Sequence, residues 1–344
     1  MEQQDILSMT LPELQAAVQE LGEPKFRAKQ IFNWLHQKRV TDFSEMTTLS
    51  LPFRERLASD FCINRLKIAK RLASSVDDTV KYLYELPDGN YVETVCMQYH
   101  HGTSLCISTQ VGCRMGCRFC ASAIAGFVRN LTPAEMLLQI YETERAQNCK
   151  ISSLVLMGIG EPLDNFDNVL RFLQLLSDPN GYGMRLRHVT VSTCGVVPKI
   201  LELAEQRLGL TLSVSLHCPN DAGRSAIMPI NRSYPIDVLL DACQTYFEKT
   251  GRRVTFEYAV MEQVNSAEQD AAALAERLKG LHAHVNLIPI NPVKERNFHT
   301  LKKTVLQFQK TLERYGIPAT IRRTLGSDIE AACGQLRRDA IQQT

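Results

Sequence analysis

The sequence lacks any hydrophobic run long enough to cross a membrane. Stretches such as Leu154–Met157 end far short of the roughly 20 apolar residues that a membrane helix needs. The first residues, MEQQDILSMT, also lack a basic segment followed by an apolar one. We therefore expect no signal peptide, no membrane partner and a cytoplasmic location.

The chain also has little net charge, since 39 Lys and Arg residues balance 37 Asp and Glu residues to leave +2. A protein that attracts nucleic acid through a global positive field is excluded, so any RNA site must be a local patch. We find no internal repeat and no low-complexity tract. With 344 residues, of which 44% are hydrophobic, the chain suits one large α/β domain and an accessory piece.

Residues 1–60 follow helical spacing, with Thr10 and Glu13 as a candidate capping box. The strand-like segments Lys81–Leu86 and Tyr91–Met97 then flank a turn and predict a hairpin. We expect an N-terminal helical accessory domain at 1–75, a hairpin linker at 76–98, a core at 99–328 and a tail at 329–344.

Strands and helices alternate from about residue 104. The predicted strands are 104–109, 153–157, 188–193, 211–217, 254–260, 285–290 and 319–323. This alternation favours parallel βαβ units, and six of them fit a partial, open (β/α)6 barrel. The functional side chains of such a barrel cluster at the C-terminal ends of its strands.

Eleven cysteines are many for a cytoplasmic chain, and three of them form a C-x3-C-x2-C motif after the first barrel strand: Cys113, Cys117 and Cys120. Three thiolates can bind three corners of a four-iron cluster and leave the fourth iron open to a small molecule. A structural zinc site needs a fourth ligand, usually in a second cysteine pair that is missing here. Zinc and a chance grouping of buried cysteines are the less favoured alternatives.

Polar residues and glycines follow several predicted strands where a barrel site is built. Gly160 lets the backbone approach a ligand, and the Glu161 carboxylate can accept hydrogen bonds. The other candidates are Ser192, Ser215, Leu216, His217 and Asn291. Each has an ordinary alternative, because strand ends also carry turns and loop caps, and a lone histidine is more often a buried structural residue.

Together these motifs resemble the RlmN/Cfr family of radical S-adenosylmethionine (SAM) RNA methyltransferases, and its RlmN branch more closely. The shared segments span nearly the whole chain and are Glu93–Val95, Cys106–Cys113, Gly160–Pro162, Met228–Asn231, Asn286–Pro289 and Asp328–Leu336. The resemblance implies a [4Fe–4S] cluster on the three motif cysteines. It implies that SAM binds the open iron, within a pocket formed by the strand-end residues named above.

The resemblance also implies methylation of carbon 2 of an adenosine in 23S ribosomal RNA and of the adenosine beside the anticodon in some tRNAs. That carbon is electron-poor and cannot attack the SAM methyl group, whereas a carbon radical can add to it. Two SAM molecules would be used per turnover: one methylates Cys333, and a second yields the radical that activates this methyl group. Glu93 would accept the adenine proton, and Cys106 would release the product by forming a transient disulfide with Cys333.

From composition alone, Cys106 is a small core residue and Cys333 an ordinary tail thiol. The alternatives are methylation at carbon 8, as in the Cfr branch, and a non-catalytic RNA-binding protein that holds an iron–sulfur cluster or zinc.

The implied partners are RNA and an electron donor such as flavodoxin or ferredoxin. Basic groups that can meet phosphates are Lys25, Arg27, Lys29, Lys38, Arg39, Arg65, Lys67, Lys70, Arg71, Arg322, Arg323, Arg337 and Arg338, although each group alone is more typical of a solvated face.

Overall fold

The computed structural model describes residues 3–290, 298–329, 336–337 and 340. Within them the strands are β1 (Gln4–Asp5), β2 (Phe61–Cys62), β3 (Lys67–Ala73), β4 (Val80–Glu85), β5 (Tyr91–Tyr99), β6 (Gly102–Cys106), β7 (Gln110–Gly112), β8 (Phe127–Asn130), β9 (Ile151–Leu156), β10 (Val189–Thr193), β11 (Thr211–Ser215), β12 (Val254–Val260), β13 (Ala283–Pro289) and β14 (Ala319–Ile321). The α-helices are α1 (Leu11–Glu20), α2 (Phe26–Asn33), α3 (Leu51–Asp60), α4 (Pro133–Gln147), α5 (Phe166–Ser177), α6 (Val197–Glu205), α7 (Asp221–Ile227), α8 (Ile236–Thr250), α9 (Glu268–Leu278) and α10 (Lys302–Arg314).

One large sheet organises the described chain in the order β14-β13-β12-β11-β10-β9-β6-β5-β4-β3. Within this sheet β6 and β9 to β14 run parallel, as the alternation of strands and helices predicts. Among the described strands β3 and β14 are edges, so the barrel is open. The parallel strands therefore bring their C-terminal ends, and the residues that follow them, to one side of the sheet.

The predicted hairpin is present as the antiparallel pair β4 and β5. Strand β5 pairs in turn with β6, and β3 adds a further antiparallel strand at the outer edge. The hairpin thus extends the same sheet that carries the barrel strands. Residues of β5 consequently lie beside the strand that leads into the cysteine motif.

Hydrophobic periodicity and capping explain the helices that cover this sheet. Helix α5 buries Val169, Phe172, Leu173 and Leu176, which recur at the three- and four-residue spacing of one helix face. Helix α4 begins with a capping box, in which the Thr132 N–H donates to Glu135 Oε2 at 2.9 Å and the Glu135 N–H donates to Thr132 Oγ1 at 3.2 Å.

The start of the chain is helical as expected, with α1 to α3 and a π-helical turn at Trp34–Lys38. Its Thr10 N–H donates to Glu13 Oε2 at 2.8 Å at the start of α1. His36 Nδ1 lies 2.9 Å from the Tyr141 hydroxyl of α4 in a buried contact, which fastens the helical region to the core. In the part of the chain that the structure describes, no helix combines the length and apolarity needed to cross a membrane.

Candidate active site at the cysteine loop

A short antiparallel pair, β7 and β8, holds the base of the cysteine loop. The Cys113 N–H donates to the Gly126 carbonyl at 3.1 Å and closes the neck of the loop. Gly112 has φ +81°, and a Cβ there would lie 1.8 Å from the Gly126 oxygen. Only glycine therefore permits this close approach of the two strands.

The far side of the loop rests on the ends of β11 and β12. The Arg118 N–H donates to the Ile227 carbonyl at the end of α7 at 2.9 Å. The Phe119 ring meets the His217 ring edge-on with centroids 4.7 Å apart. His217 Nδ1 accepts the Ala259 N–H at 2.9 Å, and burial lowers the pKa of His217 to about 3. The imidazole is therefore neutral and serves as a rigid support for the loop.

A cavity of about 350 Å³ opens beside this loop at the C-terminal ends of the parallel strands. Its volume falls within the range of small-molecule sites, roughly 300–1,000 Å³. Cys113, Cys117 and Cys120 all line it, together with apolar side chains that include Met115, Phe119, Met157 and Ile288. Three thiol groups thus share one largely apolar space with room for a further ligand.

Five of the strand-end candidates line this cavity: Gly160, Glu161, Ser192, Ser215 and His217. Leu216 does not, because it is fully buried in the main hydrophobic core behind the cavity. Its neighbours Ser215 and His217 both line the cavity, and the backbone turns away from the strand direction at His217, where φ is +57°. Asn291 lies outside the described residues.

The Glu161 carboxylate has a structural role as well as a place in the cavity wall. It accepts the Leu163 N–H at 3.0 Å and the Cys194 N–H at 2.8 Å, which joins the end of β9 to the end of β10. Burial raises the pKa of Glu161, and these backbone donors oppose that rise. Its position next to the cysteine loop also suits it to face a cationic group in the cavity.

Glu257 is a cavity residue that the sequence reasoning missed. It lies in the middle of β12, where its carboxylate accepts the Ser213 hydroxyl at 2.7 Å and the Asn286 side-chain amide at 2.9 Å. Burial raises the pKa of Glu257. The sequence contains a signal for it, because Glu257 is a carboxylate inside the largely apolar run VTFEYAV. An acidic residue is rarely buried without partners, so its position in a predicted strand indicates a polar site there.

Cys106 lines the same cavity as the three loop cysteines. It pairs across the sheet with Val95, and this small cluster also contacts Leu325 from the segment after β14. Cys333 lies outside the described residues. Described residues on either side of it contact the antiparallel strands: Asp328 accepts hydrogen bonds from Ser74 and Ser75 between β3 and β4, and the Arg337 N–H donates to Glu93 of β5.

Glu93 is buried in an ion pair with Lys81 and is not among the described residues that line the cavity. It lies on the face of β5 that also carries Val95 and Met97, since side chains two residues apart share a face. Both of those neighbours line the cavity. Glu93 therefore sits at the end of the row of side chains that leads into the cavity.

The donor set fits an iron–sulfur cluster. Three thiols from one short loop face one cavity, and burial raises the pKa of the Cys113 thiol to about 12, so its binding as a thiolate releases a proton. Among the described residues, no three His, Cys, Asp or Glu side chains converge on a point that would hold a single ion. A four-iron cluster needs no such convergence, because each thiolate binds a different iron atom.

The fold and the cysteine loop define a radical-SAM protein. A family model described as the Radical SAM superfamily matches residues 107–275, and one described as the ribosomal RNA large subunit methyltransferase N-terminal domain matches residues 4–63. The crystal structure of a radical SAM methyltransferase from Sphaerobacter thermophilus has a TM-score of 0.92 and 40% identity, and the match covers 96% of this chain and 98% of that one.

Two relatives carry the name probable dual-specificity RNA methyltransferase RlmN. The protein from Lachnoclostridium phytofermentans is 50% identical, with 99% of this chain and 96% of the relative covered. The one from Clostridium novyi is 48% identical, with coverage of 98% and 99%. The chain belongs to the RlmN family of radical-SAM methyltransferases. The expected family and fold class are confirmed, and membership implies SAM and a [4Fe–4S] cluster as cofactors.

Proposed function

We propose that this protein methylates carbon 2 of a specific adenosine in 23S ribosomal RNA and of the adenosine beside the anticodon in some tRNAs. The relatives' names, which state dual-specificity RNA methylation, support this. The observation that carries the proposal is the single cavity shared by Cys106 and the three loop cysteines. A reaction that needs both a cysteine nucleophile and an iron–sulfur cluster accounts for the presence of both in one cavity.

In this proposal Cys113, Cys117 and Cys120 hold the cluster. Gly160, Glu161, Ser192, Ser215, His217 and Asn291 surround SAM, and Leu216 supports the pocket from behind. The bound cluster supplies the electron that cleaves SAM homolytically. Apolar side chains such as Met115 and Phe119 line the space and exclude water, which protects a reactive carbon-centred species from side reactions.

Two cysteines act in sequence in the proposed reaction: Cys333 carries the methyl group, and Cys106 releases the product. Cys333 accepts a methyl from one SAM and becomes a thioether, and a second SAM is consumed when this group is activated and joined to the adenine. Glu93 accepts the proton from the adenine carbon, and the one electron that must leave for the adenine ring to become aromatic again returns to the bound cluster. Cys106 then attacks the Cys333 sulfur: an S–S bond forms, the S–C bond to the RNA breaks, and the electron pair left on carbon takes up a proton.

RNA reaches this cavity through basic groups at its rim. Arg322 and Arg323 are exposed and line the cavity, so they suit contacts with the phosphates that flank a flipped-out adenosine. The N-terminal region at 1–75, which holds α1 to α3, is the proposed docking element. A ribosomal substrate also implies a cytoplasmic reaction and a small donor such as flavodoxin or ferredoxin as the source of electrons.

The test is anaerobic reconstitution with iron and sulfide, then incubation with SAM, a reductant and an RNA fragment, followed by mass spectrometry of the digested RNA. We expect 2-methyladenosine from the unmodified protein and none from Cys333→Ala. Cys106→Ala should trap a covalent protein–RNA adduct, while Cys149→Ala, which changes a cysteine remote from the cavity, should behave as unmodified protein.

Three outcomes would contradict the proposal. An 8-methyladenosine product would assign the chemistry of the Cfr branch. Full activity of Cys333→Ala would exclude the covalent route. Reconstituted protein that binds RNA but forms no 5′-deoxyadenosine would indicate a non-catalytic cluster protein.

A further inference from the structure

Arg224 of α7 is 0% exposed, yet it carries a full positive charge in the core beneath the cysteine loop. Its guanidinium donates to three backbone carbonyls: Cys194 at 2.7 Å, Ser215 at 3.0 Å and Leu216 at 3.2 Å. These carbonyls follow or end β10 and β11, the two strands that supply Ser192 and Ser215 to the cavity. One side chain thus ties together the ends of two site-forming strands.

Within the described residues this cation forms no ion pair. Its remaining hydrogen bond goes to Asn231 Oδ1 at 2.9 Å, and Asn231 in turn donates to Asp221 Oδ1 at 2.9 Å. Asp221, the carboxylate of this network, is therefore one side chain removed. The carbonyl and amide oxygens around Arg224 offset part of the cost of burying its charge but supply no full negative charge, so additional negative potential nearby stabilises it further.

The cysteine loop lies where this potential is needed. Cys117 packs against a hydrophobic group of side chains at the end of α7 that includes Cys194, Cys218 and Ile227. The helix carrying Arg224 also accepts the hydrogen bond from Arg118 described above. Cys194, whose carbonyl accepts the Arg224 hydrogen bond, belongs to the same packed group and lines the cavity with Cys117. The guanidinium is therefore separated from the cysteine loop by one packed residue, within a low-dielectric interior where charges interact strongly.

We propose that Arg224 is a positioning residue that acts as the counter-charge of the iron–sulfur cluster. A cluster bound by three thiolates is net negative, and reduction by one electron from an external donor adds a further negative charge. A fixed buried cation stabilises the reduced form most, so it makes the cluster easier to reduce. This inference rests on the cluster of the proposed function, but it is independent of the identity of the RNA product.

The test is a redox titration of the reconstituted cluster with dithionite, followed by electron paramagnetic resonance, in the absence of SAM and RNA. For Arg224→Gln we expect normal iron content and a loss of about tenfold in the equilibrium constant for reduction, which corresponds to 59 mV toward more negative potential. Arg224→Lys keeps the charge and should stay closer to the unmodified protein. Arg232→Gln removes an exposed arginine and is the matched control.

A second variant covers the possibility that Arg224→Gln does not fold. Asp221→Asn leaves Arg224 in place and removes the carboxylate at the end of its network, so the potential should shift in the opposite, less negative direction. An unchanged potential in both Arg224→Gln and Asp221→Asn would overturn the inference, as would equal shifts in the Lys and Gln variants. The predicted shifts in potential, together with no RNA methylation by the unmodified protein, would instead contradict the proposed function alone.

Discussion

Lys81 Nζ lies 2.9 Å from Glu93 Oε2, and neither side chain is exposed to solvent. The two residues lie on adjacent strands, with Lys81 opposite Val95 and Glu93 opposite Leu83, so the pair forms diagonally across the sheet. Removal of one partner from a buried ion pair takes the adjacent opposite charge away from the other and is strongly destabilising. The pair therefore fixes the position of Glu93 on β5, next in its row to the cavity residue Val95.

The first prediction concerns this pair. Lys81→Met should lower the free energy of unfolding by about 3–5 kcal/mol, because the buried Glu93 carboxylate loses the ammonium group that lies 2.9 Å away. The double variant with Glu93→Gln should recover part of that loss. Urea unfolding measures both, with the exposed residue change Lys67→Met as the control. A loss in Lys81→Met as small as that of the control would contradict the prediction.

The second prediction tests the neck of the cysteine loop. Gly112→Ala should reduce the iron content of reconstituted protein, because its positive φ costs about 1–3 kcal/mol and its methyl group would meet the Gly126 carbonyl. Iron analysis and the cluster absorbance measure the effect. Gly209→Ala is the matched control, since Gly209 has φ +68° with nothing near the new Cβ. Equal iron content in the two variants would show that the neck does not control cluster binding.

Much of the fold follows from hydrophobic runs in the sequence. Parallel strands are buried on both faces, so they appear as continuous apolar segments, and the predicted strand at Val254–Val260 has the observed bounds of β12. The short elements β7, β8 and α7 were not predicted. They span three, four and seven residues, too few for a periodic pattern to emerge.

The sequence predicts those residues of the candidate site that lie at or just after the end of a parallel strand, such as Glu161, Ser192 and Ser215. Leu216 directly follows the last residue of β11 and lies in the core, on the side opposite to Ser215. Arg224 could not be predicted, because its contacts join backbone carbonyls of strands that are distant in sequence. Such a role depends on tertiary structure and leaves no local pattern.

The third prediction concerns the segment that leads to Cys333. Asp328 accepts the Ser74 hydroxyl at 2.6 Å, the Ser75 N–H at 2.7 Å and the Ser75 hydroxyl at 2.8 Å, and these bonds lower the pKa of Asp328 to about 2. The carboxylate is therefore ionised at neutral pH and anchors the segment. Asp328→Asn should slow RNA methylation by up to about 100-fold, since misplacement of a reacting group by 1 Å can cost that much.

Two measurements separate this anchoring from a general loss of structure. The rate of Cys333 alkylation by iodoacetamide, followed by mass spectrometry, should change in Asp328→Asn while the unfolding midpoint stays near that of the unmodified protein. Asp78→Asn alters an exposed carboxylate on the same turn and is the control. Unaltered alkylation and methylation in Asp328→Asn would mean that the anchor does not position Cys333.

The last prediction concerns acid sensitivity. Burial lowers the pKa of His36 from its ordinary 6.5 to about 4, so the folded protein holds this side chain neutral against Tyr141. Between these two values the unfolded chain binds a proton that the folded chain does not, and stability falls as the pH falls. The stabilisation from neutral His36 is complete above pH 6.5, and about 3 kcal/mol of it is lost by pH 4, at about 1.4 kcal/mol per pH unit.

His36→Gln should therefore flatten the decline in unfolding free energy between pH 6.5 and pH 4, whereas His100→Gln, at an exposed position, should leave the decline unchanged. Parallel pH profiles for His36→Gln and the unmodified protein would contradict a buried neutral histidine at this contact.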